Sequence, residues 1–159
     1  MDIMVDTSVW VDFFNDVENP QVHYLVKLLQ EGRVGTCPVI LMEVLQGIRA
    51  DKACKKTESY LSSLASYSIS DQLYIDSAML YRSARKKGIT IRKSVDCLIA
   101  VTAIHHALPL LHKDRDFDAI EKYSKLICGN YSALLHIPVK MNAFSGKREH
   151  LRFPKHCLS

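Results

Sequence analysis

The sequence predicts an α/β protein built on one parallel sheet, and three observations predict it. Short segments of strand length recur at residues 3–5, 33–36 and 108–112, the first and last of them apolar. Between them lie longer stretches with apolar residues at helical spacing, opened by hydroxyl residues or proline and several of them closed by glycine. One such stretch, residues 94–104, is apolar nearly all round, the mark of a helix buried in the middle of a domain. Strands separated by helices in this way align in parallel and take helices on both faces.

Residues 3–5, Ile-Met-Val, form the first strand, and Asp6 ends it. Thr7 and Ser8 start a helix through residue 15 whose apolar face is Val9, Trp10, Phe13 and Phe14. Pro20 opens a second helix, with Val22, Leu25, Val26, Leu28 and Leu29 inward, and Gly32 closes it. After a strand at 33–36, Pro38 starts a third helix with Val39, Leu41, Met42, Leu45 and Ile48 as its buried positions. Glu43 stands amid that apolar run, where an unpaired charge is costly. Either the helix turns it to solvent, or it faces a polar pocket with partners.

Residues 51–64 predict a helix with a basic outer face carrying Lys52, Lys55 and Lys56. A longer helix covers 71–87, its core side marked by Leu73, Ile75, Ala78, Leu80, Tyr81 and Ala84, and Gly88 ends it. Arg85, Lys86 and Lys87 in the last turn complement the helix dipole, and serve equally well as a nucleic-acid surface. Ser94, Val95 and Asp96 open the central helix. The strand at 108–112 then runs into Lys113-Asp114-Arg115-Asp116-Phe117-Asp118, with Asp114 and Asp116 at the strand exit and Asp118 capping or decorating a helix through Lys122. A strand at 125–128 completes the alternation. Residues 129–159 lose periodicity and turn basic, which makes them an appendage to a domain spanning 1–128.

A chain of 159 residues suits one domain with a full core, and 48% hydrophobic with 24% charged residues is ordinary globular composition. The net charge of +4 permits an anionic partner without demanding one. No apolar run is long enough to span a bilayer, and no basic segment followed by a long apolar stretch opens the chain, so a cytoplasmic location is expected. Five scattered cysteines, Cys37, Cys54, Cys97, Cys128 and Cys157, then read as reduced thiols, with Cys37 and Cys97 in the core.

The chemistry lies in where the acids fall. Asp6 at a strand-to-helix junction is either a helix cap or a ligand, because open α/β sheets bind outside the carboxyl ends of their strands. In a parallel sheet the junctions bearing Asp6 and Asp114 share one edge. Glu43, Asp96 and Asp116 are candidates to join them. Carboxylates that converge without matching bases repel one another, and hard divalent cations are their natural counter-ions, Mg²⁺ or Mn²⁺ for all-oxygen ligation. That is the apparatus of phosphodiester hydrolysis. Zinc at His105, His106 and His112 lacks thiolates or a recognised histidine spacing.

Four segments, VDTSVWVDFF, PVILMEVLQGIR with Glu43, SVDCLIAVTA and LLHKDRDFDAI, resemble in order and spacing those of the PIN-domain nucleases, and among them the VapC toxins of bacterial toxin–antitoxin modules. The likeness spans residues 1–128. It implies an α/β/α sandwich around a central parallel sheet, a metal-dependent endoribonuclease acting on RNA such as tRNA, inhibition by a VapB-type antitoxin, and a homodimer. By position, Asp6, Glu43, Asp96 and Asp114 match the family's acidic quartet, Ser8 the hydroxyl that braces it, and Asp116 a fifth acid of many relatives. Asp6 and Asp96 are then the main ligands of Mg²⁺ or Mn²⁺, while Glu43 and Asp114 hold water, a second ion or the attacking hydroxide. Which of Asp114 and Asp116 lies nearer the metal stays open. Lys86, Lys87, Arg92 and Lys93 would guide the RNA backbone. The rival expectation is a non-catalytic PIN-like module that docks a partner protein on nucleic acid, against which the complete quartet argues.

Overall fold

The computed structural model describes residues 1–129. Eleven elements follow in order: β1 (Ile3–Val5), α1 (Thr7–Phe14), α2 (Pro20–Glu31), β2 (Val34–Thr36), α3 (Pro38–Gln46), α4 (Asp51–Leu61), β3 (Ala65–Ser66), α5 (Asp71–Lys86), α6 (Ser94–His105), β4 (Leu110–Leu111) and α7 (Arg115–Glu121). The expectations for the tail from residue 130 onward lie outside the described residues.

The strands form one sheet in the order β3-β2-β1-β4, every pairing parallel. β1 is central: Met4 pairs with Gly35 on one side and with Leu110 on the other. Buried on both faces, β1 needs continuous apolar residues rather than alternation, which is why Ile-Met-Val suffices there. The order runs outward from β1 to β2 to β3 and then returns to place β4 on the opposite side of β1. Such a reversal opens a crevice between the carboxyl ends of the two strands flanking it, here β1 and β4.

Helix starts follow local chemistry. Asn19 caps α2 by accepting the Val22 amide at 2.9 Å, with Pro20 in the first turn, and Gly32 ends the helix at φ 65°. Trp10 and Phe13 pack edge to face at 5.8 Å, and Trp10 stacks on Phe14 at 5.7 Å, so the inner face of α1 is aromatic and its indole is fully buried. Cys37 and Cys97 are buried as expected.

Two helices face differently from their sequence reading. In α3 the buried residues are Val39, Ile40 and Val44, while Met42 is 44% exposed; an all-apolar run has no period by which to choose its inner face. In α5 the core positions are Leu73, Ser77 and Ala84, whereas Tyr74, Ile75 and Met79 are exposed. Leu80 and Tyr81 are only half-buried. The strand β3 carries no pattern to read, being two residues long and exposed. The strand expected at 125–128 is reduced to one parallel bridge from Cys128 to Leu110.

Gly35 marks a close approach. A Cβ there would lie 2.8 Å from Cε2 of Tyr67, whose hydroxyl donates to Asp2 Oδ2 at 2.7 Å. Gly35→Ala is therefore expected to push the ring off its anchor and destabilise the fold by about 1–3 kcal/mol, lowering the thermal midpoint by several degrees. An unchanged midpoint would show that the ring steps aside freely.

Candidate active site

Outside the carboxyl ends of β1 and β4 lies a cleft of about 500 Å³ lined by Asp6, Ser8, Glu43, Arg92, Lys93, Asp96 and Asp114, among others. Three kinds of junction deliver these residues. Asp6 ends β1 and caps α1, its Oδ2 accepting the Ser8 amide at 2.9 Å and the Ser8 hydroxyl at 2.5 Å. Asp6 is thus both the cap and a wall of the cleft, so the two sequence readings are compatible. β2 leads directly into α3, which brings Glu43 to the same edge. The Thr7 hydroxyl donates to Glu43 Oε2 at 2.7 Å, so Glu43 faces a polar pocket with a partner rather than open solvent.

Asp96 arrives from the first turn of α6. It is only 4% exposed, and its Oδ2 has no hydrogen-bond partner among the described residues. A buried carboxylate oxygen left bare is expensive unless something binds it. Burial, then the charges of Asp6 and Asp114, push its pKa up to about 7, with Lys93 opposing. Burial likewise raises Asp6 against the bonds from Ser8. Glu43 is raised by burial and by Asp6, against the Thr7 hydrogen bond. The charge of Asp6 thus bears on both Glu43 and Asp96, and that of Asp114 on Asp96, across the cleft.

Asp114 caps α7, accepting the Asp116 amide at 3.0 Å, which is the role the sequence offered to Asp118. Asp118 decorates the first turn of α7, the other reading the sequence allowed it, exposed and 3.9 Å from the buried His112. Asp116 is buried, and its two oxygens accept the Arg92 amide at 2.8 Å and the Arg92 Nε at 3.1 Å. The Arg92 guanidinium also donates to Asp114 through Nη2. Arg92 therefore ties the segment before α6 to the start of α7, and Asp116 holds that tie from below.

Lys86 ends α5 and the Lys87 Nζ sits 5.2 Å from the Tyr123 ring; neither lines the cleft. Conversely, Thr7, Asp12, Lys113 and Arg115 line it without having been singled out by the sequence. Asp12 and Ser8 stand four residues apart on α1, which puts them on one helix face; that spacing was the available signal.

Among the described residues no three acid, thiol or imidazole side chains are already gathered as an ion cage. Hydrogen bonds explain this for Asp6, Glu43 and Asp114, each drawn toward Ser8, Thr7 or Arg92. The donor set nonetheless fits a hard divalent cation: it is all carboxylate oxygen, and the bare Oδ2 of Asp96 is an acceptor with nothing to accept.

The sequence matches the PIN domain family over residues 3–123. It is 34% identical over 132 residues to VapC ribonuclease Mb1587 of Mycobacterium bovis and to ribonuclease VapC11 of Mycobacterium tuberculosis, covering 81% of this chain and 98% of each relative. In fold it is similar to VapBC2 of Rickettsia felis bound to a DNA fragment from its promoter, with a TM-score of 0.65, 20% identity, and 81% of this chain and 98% of that one covered. FitAcB of Neisseria gonorrhoeae gives a TM-score of 0.61 at 20% identity, covering 85% and 99%. The matched span takes in every acid of the cleft together with Asp116, and the chain belongs to the PIN-domain family, among the VapC ribonucleases.

Proposed function

We propose that the protein is a metal-dependent endoribonuclease, the toxin of a toxin–antitoxin pair, cutting RNA of the tRNA class and restrained by a VapB-type antitoxin. The observation that carries the reading is the bare buried oxygen of Asp96 in a cleft shared with Asp6, Glu43 and Asp114. The names of the relatives, ribonucleases and VapBC complexes, supply the substrate and partner classes.

Asp6 and Asp96 would hold Mg²⁺ or Mn²⁺. When bound, the ion supplies Lewis acidity toward a phosphoryl oxygen and lowers the pKa of water. The chain's own groups do the rest. Ser8 holds Asp6 in place through both its amide and its hydroxyl. Glu43, steadied by Thr7, would hold the attacking water and take its proton. The water oxygen forms a new bond to phosphorus as its proton passes to Glu43, the bond from phosphorus to a ribose oxygen breaks, and that oxygen takes a proton from solvent as it leaves. Asp114 and Asp116 set the position of Arg92 at the edge of this reaction. Exposed Tyr74, Ile75 and Met79 on α5 support a homodimer that covers them.

The test is digestion of total RNA with Mg²⁺ or Mn²⁺ supplied, with products mapped, and with EDTA as control. Cleavage that survives EDTA, or no cleavage at all, would overturn the reading. Lys86 and Lys87 offer a second check, since both sit near the turn that leads to Arg92. Replacing the two by glutamine is expected to weaken RNA binding across sequences and lower the slope of log affinity against log salt by about 1.4, roughly 0.7 per lost phosphate contact. An unchanged slope would leave them as a solvated helix end.

A further inference from the structure

A cleft lined by five carboxylates is a poor place to bring a polyanion. Asp6, Asp12, Glu43, Asp96 and Asp114 share its walls with four cations, Arg92, Lys93, Lys113 and Arg115. An RNA strand crossing such a site is repelled unless cations meet its phosphates. Arg92 is already committed, since its guanidinium binds Asp116 and Asp114 together. Lys93 shares the cleft wall with Glu43 and Asp96. The remaining two cations stand where β4 leaves the sheet.

Lys113 is held at both ends. Its amide donates to the Ser8 hydroxyl oxygen at 3.1 Å, and that hydroxyl donates to Asp6, so the backbone of Lys113 is fixed relative to Asp6. Its Nζ donates to Asp12 Oδ2 at 2.6 Å, and Asp12 is itself steadied by the Asn19 amide at 2.7 Å. The side chain nonetheless remains 49% exposed. An ammonium has three donors, and only one is used by Asp12. Arg115, two residues on, is exposed, and its side chain makes no hydrogen bond or ion pair with any described residue. Together they present a pre-aimed point charge and an uncommitted guanidinium fork, the pair of groups suited to phosphodiester oxygens.

We infer that Lys113 and Arg115 form a phosphate-binding wall that, with Lys93, carries a single RNA strand past the acids of the cleft. Asp12 serves this wall as a positioning residue, aiming the Lys113 ammonium. The inference rests on the ribonuclease reading and adds to it the path of the substrate on the β4 side.

The test uses the full chain, a short labelled single-stranded RNA and EDTA to prevent cutting, with affinity read by fluorescence anisotropy over a range of salt. Lys113→Gln and Arg115→Gln are each expected to lower the slope of log affinity against log salt by about 0.7, which weakens binding about 5-fold at 0.1 M salt. In cleavage assays with Mn²⁺ the same variants raise KM by a similar factor and leave kcat within about 2-fold. Lys113→Arg restores the slope, and Lys52→Gln on α4 never alters it. Unchanged slopes in both glutamine variants, with wild type binding and cutting normally, overturn the wall alone. A lowered thermal midpoint for Lys113→Gln with an unchanged slope does so too, since Lys113 would then only tie β4 to α1. Failure of the wild type to bind or cut RNA overturns the ribonuclease reading and the wall with it.

Discussion

Asp96→Asn is expected to reduce RNA cleavage by about 10³-fold or more while the protein stays folded. The substitution keeps the shape of a side chain that is only 4% exposed, so packing at the start of α6 is preserved. What it removes is one negative charge and one oxygen acceptor from the group with the bare Oδ2. A cation acting as Lewis acid contributes several kcal/mol to such a reaction, and about 4 kcal/mol corresponds to 10³ in rate. Asp6→Asn should act in the same direction, with an added loss of order because Ser8 donates twice to Asp6. Cleavage of a defined RNA with Mg²⁺ or Mn²⁺ is the measurement, with circular dichroism to verify folding. Wild-type rates in both variants would remove the metal site from the mechanism.

The acids of this site were legible in the sequence because each occupies a position that local rules single out. Asp6 stops an apolar run and precedes hydroxyl residues, Asp114 follows an apolar run, and a parallel sheet puts those two junctions on one edge. Glu43 announces itself by being a charge among apolar neighbours, and the cost of burying it alone forces a partner, which proves to be Thr7. Asp96 lies in the first turn of the most deeply buried helix, where an unpaired carboxylate is costly and calls for a functional reason.

What stayed illegible depends on how elements meet. That Asp116 grips Arg92 follows from the approach of the segment before α6 to the start of α7, two segments 24 residues apart. That Lys113 reaches Asp12 follows from the neighbouring positions of β4 and β1. The inner face of α5 could not be read because Tyr74, Ile75 and Met79 spread apolar residues over a wide arc, and only packing chose Leu73, Ser77 and Ala84. Basic residues suffer most from this. A lysine in a sequence is exposed by default, and only the fold tells Lys113, aimed across a cleft, from Lys52 on an outer helix face.

The stability of the metal-free protein should separate a metal centre from a helix cap. With no ion bound, Asp96 has its pKa raised from 3.8 to about 7 by burial and by the charges of Asp6 and Asp114. The folded state therefore binds more protons than the unfolded one between those values, so stability is fully present below about 3.8 and is lost as pH rises through about 7. Asp6 and Glu43 shift in the same direction and add to the trend. The helix dipole favours an acid in the first turn of α6 by only about 0.3–1 kcal/mol, too little to offset a buried charge with an unsatisfied oxygen, which costs about 1–3 kcal/mol or more. In EDTA at pH 8, Asp96→Asn should therefore melt several degrees above wild type, and the gap should close as pH falls toward 5. Millimolar Mg²⁺ or Mn²⁺ should reverse the order at pH 8, because a ligand at about 100 times its Kd stabilises the protein that binds it by about 2.7 kcal/mol and the variant has lost a ligand. Thermal unfolding of both proteins across that pH range, with EDTA and with metal, measures each step. If the variant is the less stable protein in EDTA at pH 8 and metal moves neither midpoint, Asp96 serves α6 only through the helix dipole, and the convergence of acids around it has another cause.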